Sequence, residues 1–432
     1  MAGFMRPFST TASKLASKAP APSSTTMAAA AAAAAAATST DHTPTIFREI
    51  AALRAHRKDI LFSRQTVGLV PTMGALHAGH VSLIRAAAAE NSHVFVSIYV
   101  NPTQFAVNED LDSYPRTWDH DLQILSSLNA EFAAQAQKQK QDQSQSQSPQ
   151  HNADNDDNNS HLPGRISAVF APTSQTMYPT SPPSSDPSGA GTFITLTPLS
   201  TYLEGASRPI FFRGVATVCA KLFNISTPDA VYFGQKDMQQ SVIIRRLVRD
   251  LHFATAVRVV PTVRDARDGL ALSSRNVYLG ARRRAAAAAV LPRMLARAQQ
   301  AYDSARQPRT GLPPPAITRA AVLEPAISLF EEELAAHARL PPGRRVSFEL
   351  DYLSLADPES LEEVEVVDPA RGAVVSVAVR MMPLEPVALG AAKEGDAKEG
   401  GEEKEDRGLG GGTGVVRLID NVVLEPFGKG AV

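Results

Sequence analysis

Short apolar runs alternate with longer amphipathic ones along most of the chain. Residues 66–70 (Thr-Val-Gly-Leu-Val) form an unbroken apolar run closed by Pro71, the pattern of a strand buried on both faces. Residues 78–91 place Val81, Ile84 and a set of alanines at helical spacing. Residues 93–100 are β-branched and aromatic and predict a second strand. A helix over 113–128, a strand at 168–170, a helix over 214–225, a strand at 230–233, a helix over 239–251 and a strand at 255–260 follow. Strands alternating with helices imply right-handed βαβ units on a parallel sheet. Beyond Pro261 the pattern changes. Two long helices, 281–300 and 316–338, precede strands at 346–355, 374–379 and 415–418. The expected architecture is an α/β, Rossmann-like parallel-sheet domain followed by a smaller α+β domain.

Several segments lack the apolar residues that either pattern needs. Residues 1–40 contain no Asp or Glu, carry Arg6, Lys14 and Lys18, and include ten consecutive alanines from Ala28 to Ala37. That composition fits a mitochondrial transit peptide, or else a disordered tail. Met27 offers an alternative start that would give a cytoplasmic form. Eight of the sixteen residues from Gln135 to Gln150 are Gln, and Asn152 to Asn159 are Asn or Asp apart from Ala153. Such stretches cannot bury enough apolar area to offset chain entropy. They predict disordered insertions at about 134–163, 180–191 and 390–414. Removing them and a terminal segment 1–45 leaves two domains, 46–262 and 263–432.

Composition narrows the chemistry. Across 432 residues, 43 Lys and Arg balance 44 Asp and Glu, which gives a net charge of −1. This lacks the strong basic excess that nucleic-acid binding requires. The single cysteine, Cys219, excludes an internal disulfide and a multi-cysteine zinc site, and is read as a core residue. No long apolar run predicts a membrane span.

The first site candidate is Pro71-Thr72-Met73-Gly74-Ala75-Leu76-His77-Ala78-Gly79-His80, between a strand end and a helix start. A helix N-terminus offers free N–H groups and a partial positive charge, which suit phosphate. Gly74 and Gly79 allow close backbone approach. His77 and His80, three apart, face one side of the first turn and can donate to phosphate oxygens. Two histidines could instead bind a metal or simply cap the helix.

This segment resembles the HIGH signature of the nucleotidyltransferase superfamily, and more closely that of the pantoate–β-alanine ligase (pantothenate synthetase) family. Further stretches resemble that family in order. They are Val100-Asn101-Pro102-Thr103-Gln104-Phe105, Tyr114-Pro115-Arg116, Met177-Tyr178-Pro179, Leu203-Glu204-Gly205 through Arg213-Gly214, Phe233-Gly234-Gln235-Lys236-Asp237-Met238-Gln239-Gln240, and Ser273-Ser274-Arg275-Asn276. Asp351-Tyr352-Leu353 and Arg417-Leu418-Ile419-Asp420-Asn421 also match, in the second domain.

The resemblance implies ATP-dependent condensation of pantoate with β-alanine through a pantoyl adenylate, releasing pyrophosphate and then AMP. It implies His80 and His77, Lys236 and Arg275 as the catalytic group. ATP would be held by Met73, Gly74, His77, Gly79, His80, Gly234, Lys236, Asp237, Val263, Leu272, Ser273, Ser274 and Arg275. Gln104, Gln240 and Met73 would hold pantoate, and Gln104 would lie near β-alanine. Mg²⁺ would be bound mainly through the ATP phosphates, with Asp119 or Asp121 as a protein ligand. The acidic run that many relatives carry after Tyr-Pro-Arg-Thr is interrupted here by His120, and the loop 264–269 is one residue longer. A homodimer is implied, and no nucleic-acid or membrane partner. Two competing readings are another HIGH-motif adenylyltransferase and a silent scaffold. The glutamine motifs argue against the first, and the presence of His77, His80, Lys236 and Arg275 argues against the second.

Overall fold

The computed structural model describes residues 42–106, 111–112, 114–145, 163–180, 183, 186, 189–307, 316–384 and 412–427. The first half folds as β1 (Thr45–Phe47), α1 (Ile50–Phe62), β2 (Val67–Thr72), α2 (Ala78–Glu90), β3 (His93–Ile98), α3 (Trp118–Gln145), β4 (Arg165–Phe170), α4 (Phe211–Ser226), β5 (Ala230–Gly234), α5 (Met238–Asp250) and β6 (Ala256–Val260). The six strands form one parallel sheet in the order β1-β4-β3-β2-β5-β6. β2 and β3 are almost wholly buried, as their apolar runs require. Two apolar clusters pack around this sheet. One joins α4 and α5 to Leu69, Phe95 and Phe170; the other joins α2 and α3 to Val70, Val94 and Val96. Alternate residues of a strand thus serve opposite layers.

The order in which the chain adds strands reverses between β2 and β5. From β2 the chain moves outward through β3 to β4, then crosses back to β5 on the other side. The carboxyl ends of β2 and β5 flank this crevice, where open α/β sheets bind ligands.

The second half comprises α6 (Gly280–Ala305), α7 (Arg319–Ala338), β7 (Phe348–Ala356), β8 (Ala373–Met381) and β9 (Val416–Leu424). The strands form an antiparallel sheet in the order β7-β8-β9. β8 has two buried faces. Val375, Val377, Val379 and Met381 join the cluster built on α6 and α7, whereas Val374 packs into the α4–α5 cluster of the first domain. The small sheet is therefore sandwiched between its own helices and the parallel-sheet domain.

Most of the elements read from the sequence are present, with two corrections. β1 and α1, which the apolar pattern did not single out, are part of the first domain. β1 is three residues long and pairs only with β4, and the exposed face of α1 is mixed. α3 begins at Trp118 rather than 113 and runs to Gln145, into the stretch expected to be disordered from about 134. Its Gln, Lys and Ala residues are good helix formers, and local propensity extends a packed helix beyond its buried turns. The rest of that insertion, half of 180–191, nearly all of 390–414 and the terminal stretch 1–41 lie outside the described residues. Among the described residues no helix is long and apolar enough to cross a membrane.

Candidate active site

The loop after β2 turns sharply at Gly74, whose φ of +85° is costly for any residue with a Cβ. The Gly74 N–H donates to Thr72 Oγ1 (3.2 Å), and Thr72 Oγ1 donates to the Ser97 carbonyl (2.7 Å), so the turn is anchored on β3. The next two N–H groups, of Ala75 and Leu76, donate to the two carboxylate oxygens of Asp121 at 3.0 and 2.8 Å. Thr117 Oγ1 donates to the same carboxylate (3.0 Å), and Asp121 is buried.

His77 is the N-cap of α2. Its Nδ1 accepts from the Gly79 N–H (3.1 Å), and His80 Nδ1 accepts from the His77 N–H (3.3 Å). Capping and ligand contact, which the sequence posed as alternatives, are thus compatible. Each Nδ1 is occupied as an acceptor, so in the neutral ring the hydrogen sits on Nε2, the remaining donor. The ring centroids are 4.2 Å apart. Burial, then the neighbouring His77 ring, pushes His80 down to about 3. Burial and the Lys236 charge lower His77 as well. Both imidazoles are neutral hydrogen-bond donors near pH 7 in the free site, not imidazolium acids.

At the end of β5, Gly234 leads into a short 3₁₀ turn, Gln235–Asp237, before α5. Lys236 Nζ lies 3.2 Å from Asp237 Oδ1. After β6 a tight hairpin returns the chain: the Leu272 N–H donates to the Val263 carbonyl at 2.9 Å. Ser273 then caps the short turn Ser274–Tyr278, its Oγ accepting from the Arg275 N–H at 3.3 Å.

At the opposite end lies the turn Pro102–Gln104. Gln104 is buried, with Nε2 3.3 Å from Met73 Sδ and Oε1 accepting from Asn101 Nδ2 at 3.1 Å. Asn101 is fixed in turn: its Oδ1 accepts from Tyr178 Oη (2.8 Å) and Thr103 Oγ1 (3.0 Å). α4 closes over this turn at Gly214, where a Cβ would stand 2.5 Å from the Thr103 carbonyl oxygen and 2.6 Å from the Gln104 nitrogen.

One cavity is lined by Met73, His77, Gly79, His80, Gln104, Gly234, Lys236, Asp237, Gln240, Val263, Leu272, Ser273, Ser274 and Arg275. Gly74 lies behind it and shapes the loop. A cluster of N–H donors and cations therefore faces a pair of amides across one apolar-walled cleft, an arrangement suited to a polyphosphate beside a small polar acid.

A sequence model of the pantoate–β-alanine ligase family matches residues 45–423. The chain belongs to this family. It is 40% identical over 378 residues to a pantothenate synthetase of Roseiflexus castenholzii, covering 88% of this chain and 99% of that one. It is 35% identical to the pantoate–β-alanine ligase of Saccharomyces cerevisiae, covering 84% and 93% of the two chains. Among solved structures, the pantothenate synthetase of Thermus thermophilus superposes with a TM-score of 0.56 at 32% identity, covering 88% of this chain and 99% of that one. The Francisella tularensis pantoate–β-alanine ligase, solved with β,γ-ATP and β-alanine, gives 0.52 at 26%, covering 88% and 97%. The chain is accordingly a carbon–nitrogen bond-forming ligase of pantothenate biosynthesis.

Within the ligase, the residues weighed as metal ligands need correction. Asp121 holds the loop after β2, with both carboxylate oxygens occupied by N–H groups. Asp119 is exposed and does not line the cavity. No group of three His, Cys, Asp or Glu side chains suited to a metal occurs among the described residues. The sequence also passed over Arg208, which lines the cavity, stacks on the Phe211 ring (3.9 Å) and donates to the Gln104 carbonyl (3.4 Å). Its place within the Leu203–Gly214 motif was the available signal. Of the glutamine pair in the Phe-Gly-Gln-Lys-Asp-Met-Gln-Gln motif, Gln239 is structural. It accepts from the Glu204 N–H (3.0 Å) and donates to the carbonyls of Leu199 (2.9 Å) and Tyr202 (2.7 Å). Cys219 is buried at the cavity wall, and burial pushes its thiol up to about 12, which keeps it unreactive.

Proposed function

We propose that this cleft activates pantoate as its adenylate and then transfers the pantoyl group to β-alanine. A pantoate carboxylate oxygen attacks the α-phosphorus of ATP and pyrophosphate departs. The β-alanine amine then attacks the acyl carbon of the mixed anhydride, loses a proton and expels AMP. The observation that carries this reading is the convergence of His77, His80, Lys236 and the Ser273–Arg275 turn on the same cavity as Gln104 and Gln240.

The Nε2–H groups of His77 and His80 would donate to phosphate oxygens. Charge grows there as the bond to pyrophosphate breaks, so the interaction strengthens in the transition state. Lys236, a compact cation on a flexible stem, would follow the phosphates through the displacement. Arg275 would clamp them with its planar fork, aided by the hydroxyls of Ser273 and Ser274. The backbone at Val263 and Leu272 would border the adenine, and Gly234 and Gly79 would leave room for the nucleotide. Met73 and the amides of Gln104 and Gln240 would hold pantoate, with Gln104 also beside β-alanine.

Among the described residues that line the cavity, Asp237 is the only carboxylate. That donor set fits an ion held chiefly by nucleotide oxygens, as Mg²⁺ prefers. When bound, Mg²⁺ would neutralise phosphate charge. Asp237 would be the side chain closest in kind to a ligand.

The second domain, 263–432, would close on the cleft as a lid over the first, 46–262. The family resemblance further supports a homodimer through the nucleotide-binding domain, which sedimentation would test. The acid-free composition of residues 1–40 supports a mitochondrial location. A reporter fused to those residues would test that, with cytoplasmic signal as the contrary outcome.

The deciding assay incubates purified protein with ATP, Mg²⁺, pantoate and β-alanine. AMP and pantothenate are expected in equal amounts, and AMP release that ignores pantoate would sink the reading.

A further inference from the structure

The second domain does more to this site than cover it. Two adjacent residues of β9, Asp420 and Asn421, reach the two phosphate-facing loops of the cleft, and both are buried. Asn421 Nδ2 donates to the carbonyl of Gln235 and to that of Lys236, each at 2.8 Å. These carbonyls belong to the 3₁₀ turn that carries Lys236, and they flank the Lys236 Cα on both sides. A side-chain amide supplies two N–H donors on one nitrogen, which matches two successive carbonyls.

Asp420 works on the other loop. Its Oδ2 accepts from Arg264 Nη1 (2.6 Å), and its Oδ1 from Arg264 Nη2 (3.0 Å) and from the Asn421 N–H (2.8 Å). Arg264 Nη1 also donates to the Gly269 carbonyl (3.2 Å), inside the hairpin that ends at Ser273–Arg275. The same two residues of one strand therefore pin both cation-bearing loops.

We infer that Asn421, braced by Asp420, is a positioning residue that sets the Lys236 backbone and thereby couples docking of the second domain to phosphate activation. It lies outside the lining of the main cavity and acts through the turn. The inference rests on the role given to Lys236 above. Misplacement of a catalytic group by about 1 Å costs on the order of 10²-fold in rate. Asn421→Ala should therefore lower kcat for pantoate-dependent pyrophosphate release by about that factor, with the KM for ATP changed less than about threefold. Asn421→Ser, which keeps one donor, should fall between.

The decisive measurement is the double variant, followed by single-turnover pyrophosphate release, with folding checked by circular dichroism and Tm. If Asn421 acts through Lys236, adding Asn421→Ala to Lys236→Ala should cost less than about threefold more. Full additivity would overturn the inference while leaving the role of Lys236 intact. So would near wild-type kcat in Asn421→Ala, or failure of both Asn421 variants to fold, which would mark the residue as purely structural. Near wild-type turnover in Lys236→Ala would overturn the role of Lys236 and the inference with it.

Discussion

His80 sits at two jobs: its Nδ1 caps α2 and its ring lines the nucleotide cavity. Burial holds it neutral down to about pH 3. An unfolded histidine takes up a proton near pH 6.5, so the folded state binds fewer protons below that value. Stability contributed by the neutral ring is complete above about pH 6.5 and is lost as pH falls toward the folded value. At pH 5 the penalty from His80 is on the order of 2 kcal/mol, from about 1.5 pH units at 1.36 kcal/mol each. His77, His56 and His93 are lowered in the same sense, all with burial as the leading cause, so the effect should accumulate. Urea unfolding at pH 7 and pH 5 should show a clear drop in midpoint; an unchanged midpoint would contradict neutral buried rings. His80→Ala should lose about 1 kcal/mol through the missing cap bond. Its adenylation rate should fall by 10²-fold or more, because donors aimed at developing charge carry terms of that size.

At the scale of elements, the site depends on contacts that its own motif residues do not make. Asp121, on the first turn of α3, shapes the loop after β2 by accepting three hydrogen bonds. Asp121→Ala leaves buried N–H donors unpaired and should destabilise by about 2–4 kcal/mol. It should also raise the KM for ATP, and excess Mg²⁺ should not restore it. Restoration by Mg²⁺ would return Asp121 to the metal ligands. Gly214 lets α4 lie against the turn that carries Gln104. Gly214→Ala should shift that turn and raise the KM for pantoate more than that for ATP. An unchanged pantoate KM would show that the turn has slack. The motif around Gly214 was visible in the sequence, but its reason was not. Close approach of two backbones separated by about a hundred residues is a property of packing, and a one-dimensional pattern has no term for it. Asp121 reads in the sequence as a candidate metal ligand for a related cause. A carboxylate that reads as a metal ligand is chemically identical to one that accepts N–H bonds, and only burial beside those donors separates them.

At the scale of the whole molecule, the second sheet meets the first domain through a charged cluster. Glu204 of the first domain accepts from Arg417 Nη1 (2.6 Å) and from Tyr352 Oη (3.0 Å). Arg417 also pairs with Asp351 at 2.7 Å, and Arg380 donates to the same carboxylate. Glu204 is buried, and the Asp351 carboxylate is nearly so. Arg417→Ala would leave the buried Glu204 carboxylate without its cation, at a cost of about 3–5 kcal/mol. Thermal unfolding of that variant should therefore begin well below the wild type, with proteolysis entering between the domains. A Tm within a degree of wild type would show that the apolar contacts of Val374 suffice for docking.

Composition and periodicity pointed to the fold class and the sequence of most elements, and the family resemblance named many of the residues that line the cavity. These follow from local chemistry: a buried parallel strand must be apolar throughout, and a phosphate loop must offer glycine, free N–H groups and cations. Tertiary structure decided which polar groups face ligand and which face protein. It assigned Asp121 and Gln239 to hydrogen bonds within the fold, brought Arg208 into the cleft, and set Asn421 against the Lys236 turn from a strand some 185 residues away. Burial and partnership are pairwise properties of distant residues, so they exist only once the chain has closed.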